Sequence, residues 1–558
     1  MAVPGAVVAA ARQAPARTAP TERVWLVAAV LVAGVVATPL VGVLASLAEP
    51  RSDVWAHLAG TQLAELVLNT LALVVAVGAC TLVLGTALAW LVVGYAFPGR
   101  ALLEAALVLP LAVPAYIIGF AFLGVFEYAG PVQTALRDWL GPGAGLPEPR
   151  SFGGVVLVMT LVFYPYVYLL ARAAFRDQGA ATLETARSLG LSRGRVFLTV
   201  TLPMARPSLA AGASLAMMEA LADFGTVSTF GYRTLTEAVY RVWHGMFDRV
   251  AATQLASLLM LFALLLVLLE RGLRGRARFV QSQRRGPGVV AVRLPGARGA
   301  AAAAACGLVV AVAFAVPVGR LALWALDIAA GQGAVADFPE VLANSLSLAA
   351  AAALSTTALG VTLAYASRLR PTPVVRVATQ FAAMGYALPG AVIAVGVLGP
   401  VALGDHALAA LAEAVSGGPA RLVLTGSAAA LLFAYAVRFL AVSLHTVDAG
   451  LVRIAPSLDD AARSLGARGA GVVRRVHLPL MRGSLLTAAI LVFVETMKEM
   501  PATLLLRPFG FDTLAVVVWE RTAESLWAEA AVPALVIVAA GLLPVFLALR
   551  LSGRHDRR

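Results

Sequence analysis

The stretch LETARSLGLSRGRVFLTVTLP, residues 183–203, has a counterpart in LDDAARSLGARGAGVVRRVHLP, residues 458–479. Both are charged and rich in small residues, in a chain otherwise made of apolar runs. Glu184 pairs with Asp460, Ala186 with Ala462, Gly190 with Gly466 and Pro203 with Pro479, 276 residues apart. In the first copy, residues 181–189 and 195–202 each read as a short helix. Leu183, Ala186 and Leu189 share one face, and Val196 and Val200 make an i, i+4 pair. Gly190 ends the first helix, where a left-handed residue costs little, and Pro203 is expected to stop the second. An apolar stripe with no lipid over it predicts burial against a partner, helix in groove. The plainer alternative is an interfacial amphipathic loop.

The repetition extends outward from this block. ELVLNTLAL (65–73) matches EVLANSLSL (340–348), Gly85 matches Gly360, Pro114 matches Pro389, and FGYRTL (230–235) matches FGFDTL (509–514). The chain is an internal duplication. Of its 558 residues 60% are hydrophobic and 13% charged, against about 25% charged in soluble proteins, so most of the surface must face lipid. Spans of about 20 apolar residues are expected near 24–47, 66–94, 101–126, 153–175, 207–223, 251–270, 301–326, 343–367, 376–403, 422–446, 484–500 and 530–551. The fifth and eleventh are weakest, because they contain carboxylates. The expected fold is an all-α membrane protein of about 12 transmembrane helices in two parallel six-helix repeats, with a path between them.

The net charge of +13 reads as topology rather than nucleic-acid binding. The arginines cluster in 271–298, in 368–376 and at the C-terminus. Placing these inside puts both termini and both hydrophilic blocks in the cytoplasm. The first span resembles a signal peptide in its flanks, but its apolar run is about twice the usual length, so an uncleaved anchor is expected. Lys498 is the single lysine, and it lies in no phosphate-binding G-x-x-x-x-G-K-[ST] frame. Cys80 and Cys306 lie in separate halves, and the six histidines form no zinc-like pair. A membrane enzyme therefore has no support, and no cofactor is expected on this chain.

Glu219 and Asp223 in the fifth span, and Glu495 and Glu499 in the eleventh, are spaced i, i+4 and predicted to share a helix face. Glu219 would lie about 16 Å into the membrane. Acids there belong beside a cavity, and oxygen ligands suit a hard cation, although no metal ligand is assigned. The alternative is neutralisation by Lys498 and nearby arginines in gate salt bridges. Pro110, Pro114, Pro165 and Pro389 read either as kinks or breaks beside a pathway or, more simply, as plain helix irregularities.

The block resembles the EAA motif of type I ABC importer permeases. The first copy carries it at Glu184, Thr185, Ala186, Gly190, Val200, Leu202 and Pro203. The second carries it at Asp460, Ala461, Ala462, Gly466, Val476, Leu478 and Pro479. Thr185 and Asp460 are conservative departures. The resemblance implies coupling helices docked on two copies of a cytoplasmic ABC ATPase that uses the ATP, with a periplasmic substrate-binding protein and a bacterial inner-membrane location. The stretches 222–243 and 498–520 look like the fused permeases of ferric iron importers; thiamine, polyamine and phosphonate permeases share the architecture. The implied division is 1–60 for the cytoplasmic N-terminus and first helix, 61–271 for the first transmembrane domain, and 272–299 for a basic linker. Then follow 300–338 for the seventh helix and outer loop, 339–551 for the second domain, and 552–558 for a basic tail. A secondary transporter of six-plus-six repeats is the competing class. It has no use for paired docking hairpins.

Overall fold

The computed structural model describes residues 20–50, 53–178, 180–274, 291–332, 337–369, 371–416, 422–467 and 470–555. Residues 1–19 of the expected cytoplasmic N-terminus, most of the basic linker (275–290) and the end of the tail (556–558) lie outside them. Long helices dominate the first half: α1 (Pro20–Ala45), α2 (Leu63–Gly94), α3 (Ala115–Phe126), α4 (Phe152–Asp177), α5 (Leu202–Ala222) and α6 (Arg249–Arg274). The second half opens with α7, Gly296–Val310 continuing through a π-turn at Ala311–Ala315 into Val316–Asp327. It continues with α8 (Phe338–Leu369), α9 (Gly390–Ser416), α10 (Ala428–Val452), α11 (Leu478–Lys498) and α12 (Trp527–His555). Among the described residues the only β-structure is a two-residue parallel ladder, Tyr95–Ala96 with Val292–Arg293.

Each half has a three-helix core, α2–α4–α5 and α8–α10–α11. The matched glycines explain how closely the first two helices of each core approach. A Cβ at Gly85 would stand 2.8 Å from the Val167 Cβ and 2.9 Å from the Tyr164 carbonyl oxygen. A Cβ at Gly360 would overlap the Ser443 side chain. The matched LVLNT and VLANS segments share a second device. The Asn69 amide donates to the Arg233 carbonyl at 3.1 Å, and the Leu235 N–H donates to the Thr70 hydroxyl at 3.0 Å. In the second half Asn344 donates to the Asp512 carbonyl at 3.3 Å, and the Leu514 N–H donates to the Ser345 hydroxyl at 2.8 Å.

The halves are interwound. α1 packs against α8 and α9 of the other half, burying Ala29, Val36 and Val43. α7 packs against α3, where Trp324 stacks near Phe120.

The expected all-α architecture of about twelve spans holds: eleven helical stretches among the described residues are long and apolar enough to cross a bilayer, and α5, present where the fifth span was expected, falls short only in its composition. It carries Pro203, Arg206, Pro207 and Glu219 among small residues, and it is packed along α2, α4 and α6 rather than against lipid. The span expected at 101–126 is broken into Arg100–Ala106, a 3-10 turn at Leu109–Ala112 and α3. The span expected at 376–403 is likewise broken into Pro373–Ala382, a 3-10 turn at Ala383–Ala387 and α9. Val113 and Leu388, just before Pro114 and Pro389, are extended, because a proline ring drives its predecessor out of the helical region. Pro165, by contrast, lies inside the unbroken α4.

Candidate functional site

The two hydrophilic blocks fold as hairpins of the same shape. The first arm is Ala180–Ser188 in one and Pro456–Ser464 in the other. Gly190 and Gly466 follow at φ 85° and 86°, the left-handed conformation that glycine adopts without a Cβ penalty. The return arm differs from the sequence expectation, since Pro203 does not stop it. Arg193–Val196 runs through a π-turn at Phe197–Thr201 straight into α5, and Ala470–Val472 runs through Val473–His477 into α11. The Leu202 N–H reaches back five residues to the Phe197 carbonyl. Pro203, with no N–H, sits where the regular ladder is already interrupted.

The apolar stripe also divides. Ala186 and Ala462 are buried inside their hairpins, whereas Leu189 and Leu465 are 77% and 88% exposed. Glu184, Thr185, Asp460, Ala461 and Pro479 are exposed, and Val200, Leu202, Pro203, Val476 and Leu478 half-buried. The anchoring of the hairpins differs too. The first rests on an aromatic cluster, with Phe197 4.7 Å from Trp90 and 6.1 Å from Phe175. The second rests on a buried polar chain. His477 Nε2 lies 2.5 Å from Asp459 Oδ1, its Nδ1 bonds the Tyr365 hydroxyl, and Arg368 Nη2 lies 3.0 Å from Asp459 Oδ2.

Between the two halves lies a cavity of about 290 Å³. The broken segments around Pro114 and Tyr386 border it, as do α4, α5, α10 and α11. Pro114 is therefore a wall of the cavity rather than a plain irregularity. All four predicted acids border it, in different roles. Asp223 is past the end of α5, its backbone extended at ψ 122°, and not on the helix face with Glu219. Its carboxylate accepts from the Thr226 N–H at 2.8 Å, the Thr226 hydroxyl at 2.9 Å and the Val227 N–H at 3.3 Å, capping the short helix Gly225–Thr229. Glu499 is likewise extended past α11. It pairs with Arg438 Nε at 3.0 Å and accepts from the Ala502 N–H at 3.1 Å. Glu495 pairs with Lys498 at 3.3 Å. The gate-type salt bridges weighed for these acids thus exist for the second-half pair.

Glu219 is different. Among the described residues it has no cation partner. The phenols of Tyr166 and Tyr386 donate to its Oε1 at 3.3 and 3.5 Å. The sequence reading missed both tyrosines and Arg438. An arginine inside the apolar run AYAVRFLAV was the available signal, by the same rule that singled out the acids. The tyrosines stand where the repeats differ: Leu111 holds the place of Tyr386, and Val442 that of Tyr166. Among the described residues no three His, Cys, Asp or Glu side chains gather as a metal site.

The family of binding-protein-dependent transport system inner membrane components matches residues 81–278, which include the first hairpin and α5. The molybdenum transport system permease protein ModB of Escherichia coli is 34% identical over 162 residues, 28% of this chain and 69% of its own length. The chain belongs to this transport family. It is a multi-pass membrane permease of a binding-protein-dependent ABC importer. The Fe(3+)-transport system permease protein FbpB 2 of Haemophilus influenzae is 27% identical over 494 residues, 87% of this permease and 90% of that protein. The sulfate transport system permease protein CysT of Escherichia coli is 29% identical over 199 residues, 35% of this permease and 70% of that protein. The molybdenum and sulfate relatives thus align with about a third of the chain, and the ferric relative with both halves.

Proposed function

We propose that this permease imports ferric iron across a bacterial inner membrane, with both termini cytoplasmic. A periplasmic binding protein delivers the cargo, and two cytoplasmic ABC ATPase subunits drive the cycle, one on each hairpin. The chain itself hydrolyses no ATP and holds no cofactor. The observation that carries the cargo reading is the alignment with a ferric permease over 87% of this chain and 90% of that one. The cavity supports it: four carboxylates face two cations, Arg438 and Lys498, an excess of negative charge that favours a cation over an oxyanion. Leu189 and Leu465 are the apolar contacts the hairpins offer a motor subunit, and Glu184 and Asp460 their acidic flank.

The test is transport in proteoliposomes holding the permease, its ATPase and its binding protein. Ferric ion, molybdate, thiamine and a polyamine are compared, with and without ATP. ATP-dependent uptake of ferric ion alone is expected. Iron excluded while one of the others is carried would overturn the cargo reading. Uptake driven by a proton or sodium gradient without the ATPase would overturn the importer class.

A further inference from the structure

One side of the cavity is built of phenols around an acid that has no ion-pair partner among the described residues. Tyr166 and Tyr386 converge on one oxygen of Glu219, from α4 and from the 3-10 turn Ala383–Ala387, so each half contributes one phenol. A third phenol, Tyr116, borders the same cavity. It is 6% exposed, and its hydroxyl has no hydrogen-bond partner among the described residues. A buried hydroxyl without a partner is costly, and one that borders a polar cavity is poised for a ligand. Across the cavity the matching acids Glu495 and Glu499 are already paired with Lys498 and Arg438.

We propose that Tyr166, Tyr386 and Glu219 form a transit site for a hard trivalent cation. The inference rests on the ferric reading of the cargo. An octahedral ion with bonds of about 2.0 Å holds its ligand oxygens roughly 2.8–4 Å apart, and the phenol–carboxylate separations of 3.3 and 3.5 Å fall in that range. Occupation forms three metal–oxygen bonds, breaks two phenol O–H bonds and releases two protons to water, with no change of oxidation state. One carboxylate and two phenolates then cancel the charge of the ion, so the loaded site is neutral where an uncompensated charge would be most costly. A divalent ion is too weak a Lewis acid to displace both phenol protons, so it is held by fewer anionic oxygens than a trivalent one, which sets the selectivity. Arg438 and Lys498, held by their own acids, keep the second-half side from competing.

The experiment uses the full permease–ATPase complex in nanodiscs, with ferric nitrilotriacetate as the probe and gallium(III) as a redox-inert competitor. Phenolate bound to ferric iron absorbs in the visible by charge transfer. That band is expected in the wild type, absent in Y166F/Y386F, and suppressed by gallium but not by magnesium. Iron uptake in proteoliposomes is expected to fall at least tenfold in Y166F/Y386F and in E219Q, with ATPase co-purification unchanged. If the wild type carries iron but shows no band, or Y166F/Y386F carries iron within twofold of it, the transit site is wrong and the cargo reading stands. If the wild type carries another cargo and no iron, both fall. A Y166F/Y386F complex that loses its ATPase would instead be judged by the wild-type band and its competition by gallium.

Discussion

Removing Arg438 isolates the energetics of the second-half acids. In the native fold Glu499 is buried, with its side chain 4% exposed, and its charge is met by Arg438 at 3.0 Å. Taking away one member of a buried pair leaves an orphan charge, at a cost of about 3–5 kcal/mol. Arg438 borders the cavity, and its side chain is 15% exposed, so water can reach the vacated position and the lower end applies. R438L is therefore expected to lose about 3 kcal/mol of stability, more than a hundredfold in the folding equilibrium. R438L with E499L removes both charges. It forfeits mainly the hydrogen bond from the Ala502 N–H, about 1 kcal/mol. The double variant should thus be more stable than the single one by roughly 2 kcal/mol. Reversible denaturation in mixed micelles, followed by tryptophan fluorescence, measures the order. A single variant as stable as the double one would refute the claim that Glu499 is held by its charge partner rather than by its cap.

Further perturbations address the hairpins and the core. G190P with G466P is expected to abolish co-purification with the ATPase while membrane insertion, read by protease protection, stays intact; unchanged co-purification would count against the docking role. L189D and L465D act on exposed side chains and should reduce ATPase association at least tenfold with no change in melting temperature. Equal losses in both would mean the local fold was damaged instead. G85V places a Cβ and two methyl groups against Val167 and the Tyr164 carbonyl, and should cost about 1–3 kcal/mol through overpacking, measured in the same denaturation assay. D223A removes the three hydrogen bonds that cap Gly225–Thr229. A loss of about 1–2 kcal/mol is expected, and an effect below a few tenths would show that the short helix is held by its packing alone.

The duplication was legible because both copies must solve the same local problems. The left-handed turns at Gly190 and Gly466, the close helix approaches at Gly85 and Gly360, and the hydrogen bonds from Asn69 and Asn344 recur as residue identities. Hydropathy located the long helices for the same reason it usually does: lipid demands apolar runs. Its signal weakens where lipid is absent. α5 is enclosed by protein and need not be apolar, and the breaks before Pro114 and Pro389 are invisible to an apolar count. The cavity was half legible. Carboxylates in an apolar span stand out, but their separation into a cap, two ion pairs and one phenol-bound acid depends on neighbours from distant segments. Tyr166 and Tyr386 drew no notice because tyrosine is common in such spans, and only the comparison with Val442 and Leu111 sets them apart.

The interwinding of the halves bears on how the chain is made. α1 leaves the ribosome before both helices of the other half that it packs against, α8 and α9, and α9 begins only at Gly390. At about 5–20 residues per second, the intervening stretch takes on the order of 20–70 s to synthesise. For that interval α1 has only α6 beside its end, where the Ser257 hydroxyl donates to the Val43 carbonyl, and Ala29 and Val36, covered in the finished protein, face lipid or the insertion machinery. The two halves therefore cannot mature in succession as independent units. A ribosome stalled after α6 should leave α1 open to lipid-soluble crosslinkers, and release of the completed chain should close it.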